Sequence, residues 1–201
     1  MLSRSTKIFL ALMVSALCSL ALRPSLTVHS IAAQSPSVQA SADNEELMRL
    51  CAADQADRTP SQGKPIDWAL VGPRDKARLK LVKEIYTQNL LHTAVDYDCA
   101  ATVLLHGDVP EDFLLAHELW VVAIGKGKND QDTLAMAAAS EDRYLTNIGR
   151  PQRFGTQVHS VNNSPVELYP VDAGVTDGLR RVMTGHTLAE VKARVVEMNK
   201  K

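Results

Sequence analysis

Two short polar runs interrupt otherwise apolar helical stretches: His117-Glu118, and Glu141-Asp142-Arg143 further along the chain. A histidine base, a carboxylate to orient it or act as acid, and an arginine to hold an anionic substrate are the parts acid/base chemistry needs. At helical spacing His117 shares a face with Phe113, Trp120 and Ile124, whereas Glu118 falls among Leu114, Leu115, Val121 and Val122. Buried polar groups must find partners, so His117, Glu118, Asp142 and Arg143 are expected to meet between neighbouring helices. The same pattern fits an internal ion-pair network that fixes helix register. Both readings stay open on the sequence.

A second cluster, Gly149-Arg150-Pro151-Gln152-Arg153-Phe154-Gly155-Thr156-Gln157, joins a long helix to β-favouring sequence. Gln152, Thr156 and Gln157 are uncharged hydrogen-bonding residues, and Gly155 permits backbone angles that a side chain would forbid. Such a segment can line a ligand cleft or satisfy its own backbone at the corner. His92, His106, His117, His159 and His186 show no paired metal-ligand spacing, so no metal is expected. No G-x-S-x-G occurs, and Gly125-Lys126-Gly127-Lys128 precedes a helix cap without following a strand, so it reads as a solvated turn. No cofactor is implied.

These residues need a scaffold, and the punctuation of the chain describes a mainly α one. Asp43 or Asn44 can cap a first helix to about Arg58, and Thr59 to Asp67 reads as a loop. Gly72-Pro73 is expected to open the second helix, with Pro at its first position. Further helices follow over Thr93 to Leu105, Pro110 to Gly125, and from a cap at Asn129 or Asp130 to near Gly149. Phe154 to Val161 and Val166 to Val171 flank turn chemistry at Asn162-Asn163-Ser164-Pro165, giving a small hairpin over about 154–171. Two closing helices, Asp177 to Met183 and Thr187 to Asn199, are separated by Gly185, and Thr187 with Glu190 makes a capping box. The architecture expected is an irregular bundle of stacked antiparallel helical hairpins, tetratricopeptide- or Sel1-like at most, with a β-hairpin in its C-terminal half.

Residues 1–40 read as a signal peptide and cleavage region, leaving 41–201 as one domain. Arg4 and Lys7 precede an apolar run from Ile8 to Leu22, and small residues at Ala32, Ala33 and Ala40 follow. That run is about 15 residues, short of the roughly 20 that span a bilayer. The expectation is a periplasmic or secreted protein of bacterial type, without stable membrane insertion after cleavage. Anchoring by an uncleaved N-terminal helix is the alternative. Losing Arg4, Lys7 and Arg23 moves the formal net charge from −1 to about −4, and no basic patch with aromatics accumulates, so nucleic acid is not an expected partner. Cys51 and Cys99 would remain, either as a disulfide or as two thiols.

Asp54-Gln55 with Asp57-Arg58, Asp96-Tyr97 with Ala100-Ala101, His106-Gly107, Ala116-His117, Asp142-Arg143-Tyr144-Leu145 and Pro151-Gln152-Arg153-Phe154-Gly155-Thr156-Gln157 together resemble a family of exported bacterial domains of unknown function. The resemblance implies a shared α-helical fold and brings no reaction with it. It marks Asp54, Gln55, Arg58, His106, Gln152, Gly155, Thr156 and Gln157 as ligand-binding candidates beside His117, Glu118, Asp142 and Arg143. Asp54 and Arg58 lie four apart and can pair on one helix face, a contact usually worth a few tenths of a kcal/mol. The functional expectation is an extracytoplasmic binding module for a protein or small polar ligand. Its polar cleft would lie between helices 110–125 and 130–148 and the 151–157 corner. The alternative is a small hydrolase-like enzyme using His117, Glu118, Asp142 and Arg143.

Overall fold

The computed structural model describes residues 41–59, 65–162 and 164–200. The expected signal segment, part of the loop after Arg58, and Asn163 of the expected turn lie outside the described residues. Among these residues the chain is mainly α-helical. Its helices are α1 (Glu45–Arg58), α2 (Trp68–Thr87), α3 (Ala94–Leu104), α4 (Pro110–Gly125), α5 (Gln131–Asn147), α6 (Asp177–Thr184) and α7 (Leu188–Met198). Between α5 and α6 lie β1 (Val158–His159) and β2 (Glu167–Leu168).

Most helices begin where a side chain satisfies the free amides of the first turn. Asn44 accepts from Leu47 N, Asp130 from Thr133 N, and Thr187 with Glu190 closes the expected capping box. Thr93 and Asp96 close another box at the head of α3. The second helix departs from expectation. It starts at Trp68 because Asp67 accepts from Ala69 N, and Pro73 is carried inside the helix on an exposed face.

The short links after α3 and α4 place consecutive helices side by side. α4 packs on both α3 and α5; α3 also receives α1 and α2, and α5 receives α6. Leu47, Leu50, Val82, Ile85, Leu104 and Trp120 meet in the core, and Ala100, Ala101, Ala116, Ala123, Ala137 and Ala138 let neighbouring backbones approach. Trp120 is 1% exposed and donates its indole N–H to Asp98 at 2.8 Å.

α4 is not buried all round as its composition suggested. Its two neighbours leave a strip open, on which Glu118, Val121 and Val122 face solvent. The hairpin is also shorter than its β-favouring sequence suggested. β1 and β2 pair antiparallel, Val158 opposite Leu168 and His159 opposite Glu167, and the rest of the segment is irregular. Side chains take up that backbone's hydrogen bonds. Gln152, fully buried, accepts from Gln157 N at 2.8 Å and donates to the carbonyls of Gln157 and Tyr169 at 2.9 and 3.1 Å.

Candidate functional site

The expected quartet is not brought together. His117 Nδ1 lies 2.9 Å from the Ala137 carbonyl, so that nitrogen carries the proton and the ring is tied to α5. Glu118 is exposed. Asp142, fully buried, turns to the corner beyond α5, where it accepts from Arg153 N (2.6 Å), Phe154 N (3.0 Å), Thr156 N (3.0 Å) and the Thr156 hydroxyl (2.9 Å). A carboxylate satisfied by three amides and a hydroxyl is anchoring a turn. Gly155 supplies the left-handed residue of that turn, at φ +84°. Gln152, Gly155 and Thr156 therefore serve the corner's own backbone, with Gly155 and Thr156 also bordering an apolar groove.

Arg143 goes elsewhere. Its Nη1 donates to the Leu105 carbonyl at 2.8 Å and its Nε to Gln157 Oε1 at 3.3 Å, while the guanidinium lies over the Phe113 ring at 5.5 Å. Among the described residues no carboxylate pairs with it. Burial alone depresses its pKa below the usual arginine value. Gln157 Nε2 reaches the Ala139 carbonyl, so this glutamine holds Arg143 against the corner.

Arg143 opens into a cleft of about 470 Å³ with Arg58, Trp68, Asp75, His106 and Gly107 on its walls. Its floor is an ion-pair network joining α1 to α2. Asp54, fully buried, receives Arg58 Nη1 at 2.9 Å and His106 Nδ1 at 3.1 Å, with exposed Gln55 donating to its other oxygen at 3.0 Å. Arg58 also forks onto Asp75 at 2.8 and 3.2 Å. Arg78 bridges Asp75 (2.6 Å) and Asp57 (2.8 Å), and Arg74 closes on Asp57 at 2.7 Å. Hydrogen bonding to Arg78 holds the Asp57 carboxyl below its usual range. Burial pulls Asp75 upward, but its bonds to Arg58 and Arg78 outweigh that and leave it depressed.

Within this network Asp54, Asp57 and Asp75 balance Arg58, Arg74 and Arg78. Arg143 is therefore a surplus positive charge at the cleft. The Asp54 carboxylate accepts a hydrogen bond from the Nδ1–H of His106, whose ring borders the cleft. Gly107 permits this turn: a Cβ there would fall on the Asp112 side chain, which is itself paired with Lys83.

Asp54, Arg58, His106 and Arg143 are thus sequence candidates that the fold gathers, whereas Trp68, Asp75 and Arg78 are members that sequence reasoning missed. The charged i, i+3, i+4 spacing of Arg74, Asp75 and Arg78 on α2 was the available signal for two of them. Cys51 and Cys99 are free thiols, and the Cys99 Sγ lies 3.9 Å from Met48 Sδ. Among the described residues no three His, Cys, Asp or Glu side chains converge to hold a metal, and no helix is long and apolar enough to cross a membrane. Comparison of the chain with protein-family models, curated proteins and solved structures found no match.

Proposed function

We propose that this chain is an exported binding module that takes a small anionic ligand, a carboxylate or a phosphate, in the cleft between Arg143, His106 and Trp68. The observation that carries the reading is the half-buried Arg143 guanidinium, without a carboxylate of its own and facing a polar cleft. A desolvated cation of this kind gains most from a bidentate anion. Trp68, 62% exposed, offers an aromatic wall for the remainder of the ligand. The export part of the proposal rests on the signal-like pattern of residues 1–40.

A second reading has its own support. The Asp54–His106 contact presents an oriented imidazole to the same cleft, the arrangement used for proton transfer. An enzymatic role would therefore centre on His106 and Asp54, with Arg143 as the anion holder.

Of the two tryptophans in the sequence, Trp68 borders the cleft and Trp120 is buried, so intrinsic fluorescence reports on the site. Inorganic phosphate, acetate and succinate are titrated into the full chain, its Arg143→Gln variant and its Trp68→Phe variant. A saturable change that disappears in Arg143→Gln while helical circular dichroism is retained supports the proposal. Identical titrations for wild type and Arg143→Gln, or none in either, overturn it.

A further inference from the structure

A different face carries a second site. α7 is amphipathic: Val191, Val195 and Met198 recur along one face, yet none of its residues is fully buried. In a protein a helix of this length is held chiefly by packing of its apolar face, and polar contacts tie the ends of α7 to the rest of the chain. Leu188 N donates to Asp177 Oδ1 at 2.9 Å, Arg181 pairs with Glu190 at 3.0 Å, and the Asn199 side chain bonds both N–H and C=O of Val166 at 2.7 and 2.9 Å. Between the inner face of α7 and α5 lies a groove of about 410 Å³, lined on the α5 side by Ala135, Met136 and Ala139. That volume lies within the range of small-molecule sites.

One cation stands in this apolar groove. Arg194 projects from the same face of α7, and its Nη1 lies 3.0 Å from His186 Nε2. Because a guanidinium only donates, that nitrogen of His186 accepts, and the imidazole does not compete for an anion. Two nearby carboxylates are already engaged: Glu190 by Arg181 and Thr187, Glu197 by Lys200. No carboxylate pairs with Arg194 among the described residues.

We propose that this groove binds a single-chain anionic amphiphile, a medium- or long-chain carboxylate, with its head on Arg194 beside His186 and its tail along Val195 and Met198 towards the end of α7. One positive charge at the His186 end and apolar side chains beyond it complement a molecule with one anionic head and one apolar tail. A peptide or a second copy of the chain would bring backbone or charged groups for which the stretch along Ala135, Met136, Val195 and Met198 offers no side-chain partners.

The test is displacement of the neutral probe N-phenyl-1-naphthylamine from the full chain by decanoate and by decanol, which share a tail and differ in the head. Decanoate is expected to compete about tenfold better than decanol, as one charge-assisted contact allows. Arg194→Gln, at an exposed position, abolishes that preference without weakening decanol. Val195→Glu, which sets a carboxylate next to Arg194, abolishes decanoate binding. Arg143 does not line the groove, so displacement of the probe by decanoate persists in Arg143→Gln, which separates this site from the anion cleft. Equal competition by both molecules, a preference that survives Arg194→Gln, or failure of either to displace the probe overturns the proposal.

Discussion

His106 Nδ1 lies 3.1 Å from Asp54 Oδ1, joining the turn after α3 to a carboxylate of α1 that has no solvent exposure. The same oxygen is 2.9 Å from Arg58 Nη1 and 3.7 Å from Arg78 Nε, a buried N–H with no hydrogen-bond partner. Asp54 is thus the charge on which three elements converge, and its removal leaves His106 Nδ1 without that acceptor and three arginines sharing the two carboxylates of Asp57 and Asp75.

Asp54→Asn should destabilise the domain by about 3 kcal/mol, the usual scale for breaking a buried pair on one side. Gln55→Ala, one residue along but exposed, should stay within about 0.5 kcal/mol of wild type. Urea midpoints for the two variants check this. Equal midpoints would show that Asp54 contributes nothing its exposed neighbour does not.

Acid should unfold the domain in a defined window. Asp57 and Asp75 are depressed by their arginines, and Asp130 sits at about 2 because Thr133 donates to it from backbone and hydroxyl. A depressed folded value means that the unfolded chain takes up protons first. The stabilisation is therefore complete above the ordinary aspartate value of 3.8 and is lost as pH falls towards the folded values. Thermal midpoints should hold steady down to about pH 5 and drop between about 4 and 2. The Asp57→Asn/Asp75→Asn double variant should show a shallower drop. A wild-type midpoint that does not change down to pH 2 contradicts the assignment.

Asp142→Asn replaces an acceptor of three amides and a hydroxyl by a group that turns an NH2 towards some of them. The expected cost is about 2–4 kcal/mol. Hydrogen exchange should speed up at the amides of Arg153, Phe154 and Thr156, the ones that lose their acceptor. Unchanged exchange there would mean that the corner is held by other contacts.

The two thiols should differ in reactivity. The neighbouring Cys99 thiol lowers the Cys51 pKa despite burial, whereas Cys99 is raised and only 8% exposed. Brief iodoacetamide treatment followed by mass analysis should find Cys51 modified first and Cys99 modified only after unfolding. Simultaneous modification would rule out this asymmetry.

Helix placement was legible because Asn44, Thr93, Asp130 and Thr187 announce their caps locally. The head of α2 was misread because Pro73 imitates a first helical residue, while the side chain that starts the helix, Asp67, lies six positions earlier. The site was only half legible for a different reason. Asp54 and Arg58 looked like a pair of small worth on one helix face, and nothing local reveals that Asp75 and Arg78 close over them from another helix. Glu118 misled in the opposite direction: apolar neighbours implied burial, but α3 and α5 do not cover that strip. Asp142 was recognised as needing partners, and those partners proved to be amides, which carry no residue-type signature.

Pro73 bears on more than where α2 begins. It has no N–H to return to the Ala69 carbonyl, so the opening turn of α2 is fastened by one bond fewer than the turns that follow. That turn carries Trp68, the aromatic wall of the cleft proposed to take an anion. The tryptophan therefore sits on a turn that holds one helical hydrogen bond fewer than the turn that carries Arg78. In the proposed anion-binding role, the aromatic wall is thus the part of the cleft least tied to the charge lattice beneath it.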